Sequence, residues 1–502
     1  MCLKLGGATI FEEDKDNPID NSSERWSPKP GDRTIRHPRL DDIRPIQISV
    51  PSKNRMKSKA FGSPAVLFYV FTVLILIGTG LLCLPQSNAA GTITPFMDAL
   101  FTATSAITVT GLTVETTATY WSGFGKIIIL LLMFIGGLGI MTTGAFLLVL
   151  IGRRVSIFQR QLVKESISIM PVNEVGGIVK LVVRIVLISV SVQVIGFVIY
   201  LARLLTEMDA QNAIPHAIFL SVSAFNNAGF TAFVNSESIS MYQNDVTIII
   251  ASTILIFVGA VSVWVVADVL AFRNKIKLYS LNTKLVLTGT IILTIIGAIA
   301  FFGFEYNNAD TISDLSLPNK IMISIFESVS GRTAGFTTVS YDSTEQHTNF
   351  LITGLMFIGG ASGSVAGGIK INTFAVIVVA VISTLQGRNR TAIFGREISS
   401  IIVKRAMVIG AIGTAIVFIF SFILTAVESQ YDFIDLLFEI VSAFGTVGLS
   451  TGLTSEMSRW GHLILIVAMF IGRVGPLALG LAMTQRTQRE NYRYTQERVT
   501  IG

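Results

Sequence analysis

Val109-Thr110-Gly111-Leu112, Asn227-Ala228-Gly229-Phe230, Thr333-Ala334-Gly335-Phe336 and Thr446-Val447-Gly448-Leu449 are short segments that interrupt otherwise hydrophobic sequence. Their glycines lie 118, 106 and 113 residues apart, which divides the chain into quarters built around these segments. One pattern precedes each: Phe101-Thr-Ala-Thr-Ser105, Phe219-Leu-Ser-Val-Ser223, Phe326-Glu-Ser-Val-Ser330 and Phe438-Glu-Ile-Val-Ser442. Non-helical backbone at membrane depth survives only where protein or a water-filled path satisfies its polar groups. Four such segments around one axis predict a pore.

The composition is that of a membrane protein. Of 502 residues 51% are hydrophobic and 14% charged, with a mean hydropathy of +0.65, whereas a soluble domain carries about a quarter charged residues. Eight stretches approach or exceed the roughly 20 apolar residues that cross a bilayer. They run near 64–84, 126–151, 178–201, 246–271, 285–302, 350–385, 406–427 and 462–483. Between the members of each pair lies a stretch too short to cross, at 95–107, 215–225, 318–330 and 433–444, read as a half-helix that enters the membrane and returns as the Gly segment. Pro95, Pro215 and Pro318 are expected at helix starts, where proline is tolerated. Two spans per repeat return the chain to one side, so the repeats are parallel and can surround an axis along the membrane normal. The predicted fold is an all-α polytopic membrane protein with eight transmembrane helices and four re-entrant pore helices. Repeats occupy 60–165, 166–280, 281–395 and 396–485, between tails at 1–59 and 486–502.

Lysine and arginine set the orientation. Arg55, Lys57 and Lys59 precede the first span, Arg153, Arg154, Arg160 and Lys164 follow the second, Arg273, Lys275, Lys277 and Lys284 follow the fourth, and Arg388, Arg390, Arg396, Lys404 and Arg405 follow the sixth. The alternate connections are nearly free of them, which puts both termini in the cytoplasm. The net charge of +6 is therefore a topology signal, and no basic face for nucleic acid is formed. The first 55 or so residues are too polar to fold alone and lack the regions of a signal peptide. Two cysteines and four scattered histidines offer no disulfide framework, metal cluster or catalytic constellation, so no enzyme is expected. A secondary carrier would need inverted repeats and ionisable groups at a midplane site; these repeats are parallel, and the core is nearly uncharged apart from Lys370 and Arg473.

Oxygen coordination is the chemistry such a path offers. Rings of backbone carbonyls replace the water of an alkali cation without fixed charge that would trap it. Carbonyls that all point inward require left-handed or alternating dihedrals, which glycine accepts without strain. Hence the glycines at 111, 229, 335 and 448.

This arrangement, with Thr108-Val-Thr-Gly-Leu112, Asn226-Asn-Ala-Gly-Phe230, Arg332-Thr-Ala-Gly-Phe336 and Gly445-Thr-Val-Gly-Leu449, resembles the Trk/Ktr/HKT superfamily of potassium transporters. It looks most like the Ktr-type membrane subunit, since nothing hydrophobic precedes the first repeat. The resemblance covers about 60–502. It implies potassium uptake at the plasma membrane, driven by the membrane potential and often dependent on sodium, through a filter formed by the four Gly segments. A serine in place of the first filter glycine goes with sodium permeation in this superfamily, and Gly111 matches the potassium type. Because Val109, Asn227, Thr333 and Thr446 differ, fewer equivalent carbonyl rings and weaker discrimination are expected, and a sodium-permeable or poorly selective relative is the nearest alternative.

Gly359-Gly360-Ala361-Ser362-Gly363-Ser364-Val365-Ala366-Gly367-Gly368-Ile369-Lys370 interrupts the sixth span. It fits no phosphate-binding fingerprint and reads as a broken helix with a flexible segment beneath the filter, the alternative being a kinked helix with close packing. The resemblance makes this loop a gate. Arg473, a charge inside the eighth span, is costly without water or a partner. It matches the family's arginine near the gate, where it opposes cation passage or holds the loop through its carbonyls; a structural salt bridge is the competing account. Glu115, Asp342, Glu345 and Glu456 in the outer connections either raise cation concentration at the mouth or are solvated loop surface. No nucleotide motif appears, so the chain needs no cofactor of its own. The resemblance implies a homodimer with one pore per protomer and a cytosolic KtrA-type ring of Rossmann-like subunits binding ATP/ADP or NAD(H), to be sought at 153–164, 273–284, the Gly-rich loop and the C-terminal tail.

Overall fold

The computed structural model describes residues 65–139, 177–234, 238–273 and 275–475. Each repeat is an outer span, a short buried helix, a Gly segment and an inner span. The first contains α1 (Ala65–Leu82), α2 (Phe96–Thr108), the single turn α3 (Thr117–Tyr120) and α4 (Gly123–Leu138). The second contains α5 (Gly177–Leu204), α6 (Ala210–Asn226), α7 (Val246–Ala260) and α8 (Val263–Phe272). The third contains α9 (Leu281–Glu305), α10 (Leu317–Thr333), α11 (Gln346–Phe357) and α12 (Ile371–Leu385), and the fourth α13 (Ser400–Val427), α14 (Phe433–Gly445) and α15 (Arg459–Val474). A two-residue hairpin, β1 (Ala392–Ile393) and β2 (Arg396–Glu397), joins the third repeat to the fourth.

Local chemistry sets the helix starts. Ser122, Asp245 and Ser458 cap α4, α7 and α15 by accepting hydrogen bonds from Gly125, Thr247 and Gly461 amides at 3.2, 2.9 and 3.2 Å, satisfying donors that have no partner within the helix. Pro95 immediately precedes α2, and Pro318 lies in the first turn of α10. Pro215 departs from expectation: α6 begins five residues earlier, at Ala210, and carries the proline inside. A proline there forfeits one intrahelical bond, close to the helix start.

Within a bilayer, apolar burial gains little over lipid, so spans associate through close packing of small residues. Gly78, Gly196 and Gly297 of the outer spans lie against Leu132, Leu255 and Leu355 of the inner spans, so close that a Cβ would come within 2.9, 2.7 and 2.7 Å of a leucine methyl. The phenylalanines that begin the shared pattern within the four short helices, Phe101, Phe219, Phe326 and Phe438, are buried. Large apolar side chains face outward instead, among them Leu76, Ile195, Ile295 and Phe422.

The described inner-span helices end near one recurring motif, Phe134-Ile-Gly136, Phe257-Val-Gly259, Phe357-Ile-Gly359 and Phe470-Ile-Gly472, at Leu138, Ala260, Phe357 and Val474. The fourth span, expected as one helix over 246–271, is two: α7 and α8 meet at 101° across Val261 and Ser262. The cause lies outside the helix. The Gly259 and Ala260 carbonyls accept amides from Val365 and Ala361 at 3.4 and 2.9 Å instead of from the next turn, and the Ser262 hydroxyl caps α8 by accepting from the Trp264 amide at 3.4 Å. The sixth span is broken by the Gly-rich loop between α11 and α12. The expected continuations over 140–151 and 476–483 lie outside the described residues.

Candidate ion path

The four short helices end together, and the Gly segments that follow form a closed ring. A Cβ on Gly111 would meet the Ala228 carbonyl oxygen at 2.3 Å, on Gly229 that of Ala334 at 2.8 Å, on Gly335 that of Val447 at 2.2 Å, and on Gly448 that of Thr110 at 2.0 Å. Each glycine thus abuts the residue before the glycine of the next repeat, and the fourth returns to the first. All four have positive φ, 93°, 69°, 71° and 97°. No other residue type satisfies both the dihedral and the distance.

The residues two before each glycine do not follow that rule. Val109, Asn227 and Thr446 close α2, α6 and α14 in the left-handed region with φ of 58°, 55° and 49°. This conformation is strained for β-branched side chains, and such strain concentrates at functional sites. The third repeat escapes it because its stretch from phenylalanine to glycine is one residue shorter. Phe326 to Gly335 spans nine positions where the other three repeats span ten, so Thr333 stays helical and Ala334 follows at φ −125°. The missing residue was legible in the sequence from the Phe-x-x-x-Ser pattern.

Serine backs the ring. The Ser105 and Ser442 hydroxyls accept from the Gly111 and Gly448 amides at 3.0 and 3.1 Å, and the Ser330 hydroxyl donates to the Phe336 carbonyl at 2.5 Å. Asn227 joins repeats two and three. With its amide oxygen accepting from the Thr333 hydroxyl at 2.9 Å, its nitrogen donates to the Ala224 and Ile256 carbonyls at 3.1 and 3.2 Å. Thr110, Leu112, Ala228, Phe230, Phe336, Val447 and Leu449 are all buried around the ring.

Two buried carboxylates hold the chain as it leaves the ring, and both were overlooked as site residues although the Phe-Glu pairs displayed them. Glu327 accepts from the Thr338 amide and hydroxyl at 2.7 and 2.8 Å and from the Tyr341 hydroxyl at 2.9 Å. Glu439 accepts from the Ser450 hydroxyl, the Thr451 amide and the Thr454 hydroxyl at 2.5, 3.0 and 2.6 Å. Glu439→Ala strands three donors; at about 1 to 3 kcal/mol for a buried unsatisfied group, the expected result is a clear fall in the unfolding temperature of purified protein. Glu439→Gln keeps acceptor capacity and loses less, and Glu456→Ala at the exposed mouth changes nothing. Of the outer acids, Asp342, Glu345 and Glu456 are exposed, whereas burial and the nearby Asp98 carboxylate push the Glu115 carboxyl up from its ordinary range.

Beneath the ring the Gly-rich loop is folded, not slack. The Gly359 amide donates to the Ile369 carbonyl at 2.9 Å and the Ile371 amide to the Gly360 carbonyl at 3.0 Å, closing the loop's base. The Ser362 amide donates to Asn372 Oδ1 at 2.9 Å, the Ser364 amide to the Ala361 carbonyl at 3.1 Å, and the Ala366 amide to the Ser364 hydroxyl at 3.4 Å. Gly363 and Gly368 take positive φ, 77° and 62°. Gly367 lies on Thr446, where a Cβ would fall 2.2 Å from the hydroxyl, and Gly368 lies on Gly445. Lys370 Nζ donates to the loop's own Ala366 and Gly367 carbonyls. Arg473 Nη1 donates to the Val365 carbonyl at the loop's far side, and its Nη2 to the Gly136 carbonyl near the end of α4. Among the described residues no carboxylate pairs with Lys370 or Arg473, the ion pairs being Arg203 with Glu207 and Asp245, and Arg390 with Glu397. The salt-bridge account of Arg473 finds no partner there.

The ring joins four Gly segments, each lying between two spans, and the family model described as "Cation transport protein" (TrkH) matches residues 62–493. The chain belongs to the TrkH family. It is similar to the Ktr system potassium uptake protein B of Bacillus subtilis, at 39% identity over 88% of this chain and 97% of that protein. It is 36% identical to the protein of that name from Vibrio alginolyticus, over 90% and 98%, and 34% identical to a potassium/sodium uptake protein of Enterococcus hirae, over 86% and 95%. The crystal structure of the potassium transporter TrkH from Vibrio parahaemolyticus superposes with a TM-score of 0.66 at 19% identity, covering 86% of each chain. As a TrkH-family member the chain is a polytopic helical membrane protein of parallel span, pore-helix, span repeats.

Proposed function

We propose that this TrkH-family chain takes up potassium through the ring of Gly111, Gly229, Gly335 and Gly448, with the 109–112, 227–230, 333–336 and 446–449 segments as its selectivity filter. The observation that carries the reading is the closed succession of glycine against carbonyl around four repeats. Peptide oxygens held this way replace a monovalent ion's hydration shell without fixed charge, and the names of the Bacillus and Vibrio relatives agree with potassium as the ion. A less selective, sodium-permeable transporter is the second reading. It is favoured by the one-residue shortening between Phe326 and Gly335, which leaves Thr333 helical where Val109, Asn227 and Thr446 are left-handed, and by the potassium/sodium name of the Enterococcus relative. Rubidium uptake by purified protein in vesicles tests both: competition by potassium but not sodium is expected, equal competition selects the second reading, and no uptake overturns both.

In the same reading, loop 359–370 is the gate. It lies under the ring, and Gly359, Gly360, Gly363, Gly367 and Gly368 lower the cost of moving it. Lys370 stiffens its base, and Arg473 latches Val365 to the end of α4. Sodium acts as an activating or co-transported ion. Regulation is assigned to a cytosolic nucleotide-binding ring acting on a homodimer in the plasma membrane, both termini facing the cytoplasm, consistent with the "Ktr system" names of the relatives.

A further inference from the structure

The third pore helix carries a charge the other three lack. Arg332 lies in the last turn of α10, whereas the last turns of α2, α6 and α14 contain no basic residue. Its side chain is 1% exposed. Nη1 donates to the Thr290 carbonyl of α9 at 3.3 Å, Nε has no acceptor, and no carboxylate pairs with it among the described residues. A guanidinium so placed is expensive in a membrane interior, and one weak hydrogen bond does not explain it as a fold-stabilising contact.

Its position relative to the helix does. The carboxyl end of a helix carries roughly half a negative charge, and four such ends converge on the ring, each attracting a cation there. Arg332 stands at the end of the third and offsets its contribution. The offset falls in the repeat whose stretch from Phe326 to Gly335 is one residue short and whose inner span carries the Gly-rich loop. Conduction needs binding weak enough for the ion to leave. We infer that Arg332 is a positioning residue that neutralises one of four pore-helix dipoles, weakening cation binding at the ring and biasing the bound ion toward the other three repeats. This rests on the ring being the ion path.

The test compares wild-type protein with Arg332→Gln, Arg332→Met and Arg332→Lys, all purified and reconstituted in vesicles, measuring the KM and maximal rate of potassium-competed rubidium uptake and the protection from thermal unfolding given by potassium. At an effective dielectric near 20, removing one unit charge at a separation of about 10 Å would shift affinity by about tenfold. The expected result is a KM lowered by about that factor in the two neutral variants, with a reduced maximal rate and potassium protection at lower concentration, and wild-type behaviour in Arg332→Lys. A neutral variant that folds with unchanged KM and unchanged potassium protection overturns the inference. So does failure of both neutral variants to give monodisperse protein while Arg332→Lys is normal, since the charge then serves folding. If wild-type vesicles take up no rubidium, it is the proposed function that fails.

Discussion

Gly448→Ala is expected to abolish selective uptake. The new methyl would lie 2.0 Å from the Thr110 carbonyl oxygen, in backbone at φ 97°, and the atom it meets belongs to the neighbouring repeat's Gly segment, the one proposed to coordinate the ion. A non-glycine residue in so sparsely populated a conformation costs about 1 to 3 kcal/mol, and forced overpacking adds a similar amount. The clash is relieved only by moving Thr110 or the fourth segment, which spoils the carbonyl positions. Misplacing reacting or coordinating groups by about 1 Å costs on the order of a hundredfold, so rubidium uptake in vesicles should fall by at least that factor. Gly303→Ala in α9 is the control: it meets no atom within 4 Å and should leave uptake intact while adding helix stability of about 0.5 to 1 kcal/mol. Wild-type rate and selectivity in Gly448→Ala would remove the ring from the ion path.

Much of this architecture was legible because a fourfold repeat reports itself several times over. The glycine spacing, the Phe-x-x-x-Ser pattern and the alternation of basic loops each divide the chain in the same places, so an error in one repeat is corrected by the other three. What escaped reading is what differs between repeats or is supplied by another part of the chain. The bend after Ala260 lies in continuous apolar sequence, and nothing local announces it. It exists because Ala361 and Val365, a hundred residues on, donate to the carbonyls that the next turn would have used. A fourfold signal was nonetheless available, since Phe134-Ile-Gly, Phe257-Val-Gly, Phe357-Ile-Gly and Phe470-Ile-Gly recur near the end of each described inner-span helix. Gly136, Gly259 and Gly472 each press on the end of their own pore helix, where a Cβ would come within 2.1, 2.0 and 1.9 Å of the Ile107, Phe225 and Phe444 carbonyl oxygens. Val109 and Thr446 were unreadable for the opposite reason: β-branched residues are among the last to be assigned left-handed backbone, and the closed ring imposes it on them. Glu327 and Glu439 were in view but carried no assigned role, because an acid in a short apolar helix acquires one only when the chain folds back over it.

Arg473→Gln is expected to raise basal flux by about tenfold or more. The guanidinium binds two carbonyls from different repeats, Val365 of the Gly-rich loop and Gly136 of α4, and each hydrogen bond to a charged group contributes about 1.5 to 3 kcal/mol. The loop's remaining ties, the Ala361 and Val365 amides on the Ala260 and Gly259 carbonyls, survive the substitution, so the loop is loosened but not unfolded. Losing about 2 kcal/mol of differential stability shifts a closed-to-open ratio roughly thirtyfold, and flux rises until the filter itself limits it. Arg473→Lys separates the two ways a cation can act here. A single ammonium retains the positive charge that opposes potassium but lacks the planar fork that spans two carbonyls. If repulsion is the barrier, Arg473→Lys behaves as wild type; if the bridge is the latch, it leaks nearly as much as Arg473→Gln. The second outcome is expected, because the guanidinium donates to backbone carbonyls on two separate repeats, a bridge whose strength depends on reaching both at once. Flux unchanged in Arg473→Gln, in protein that remains monodisperse, would assign the arginine to packing and leave the loop without its latch.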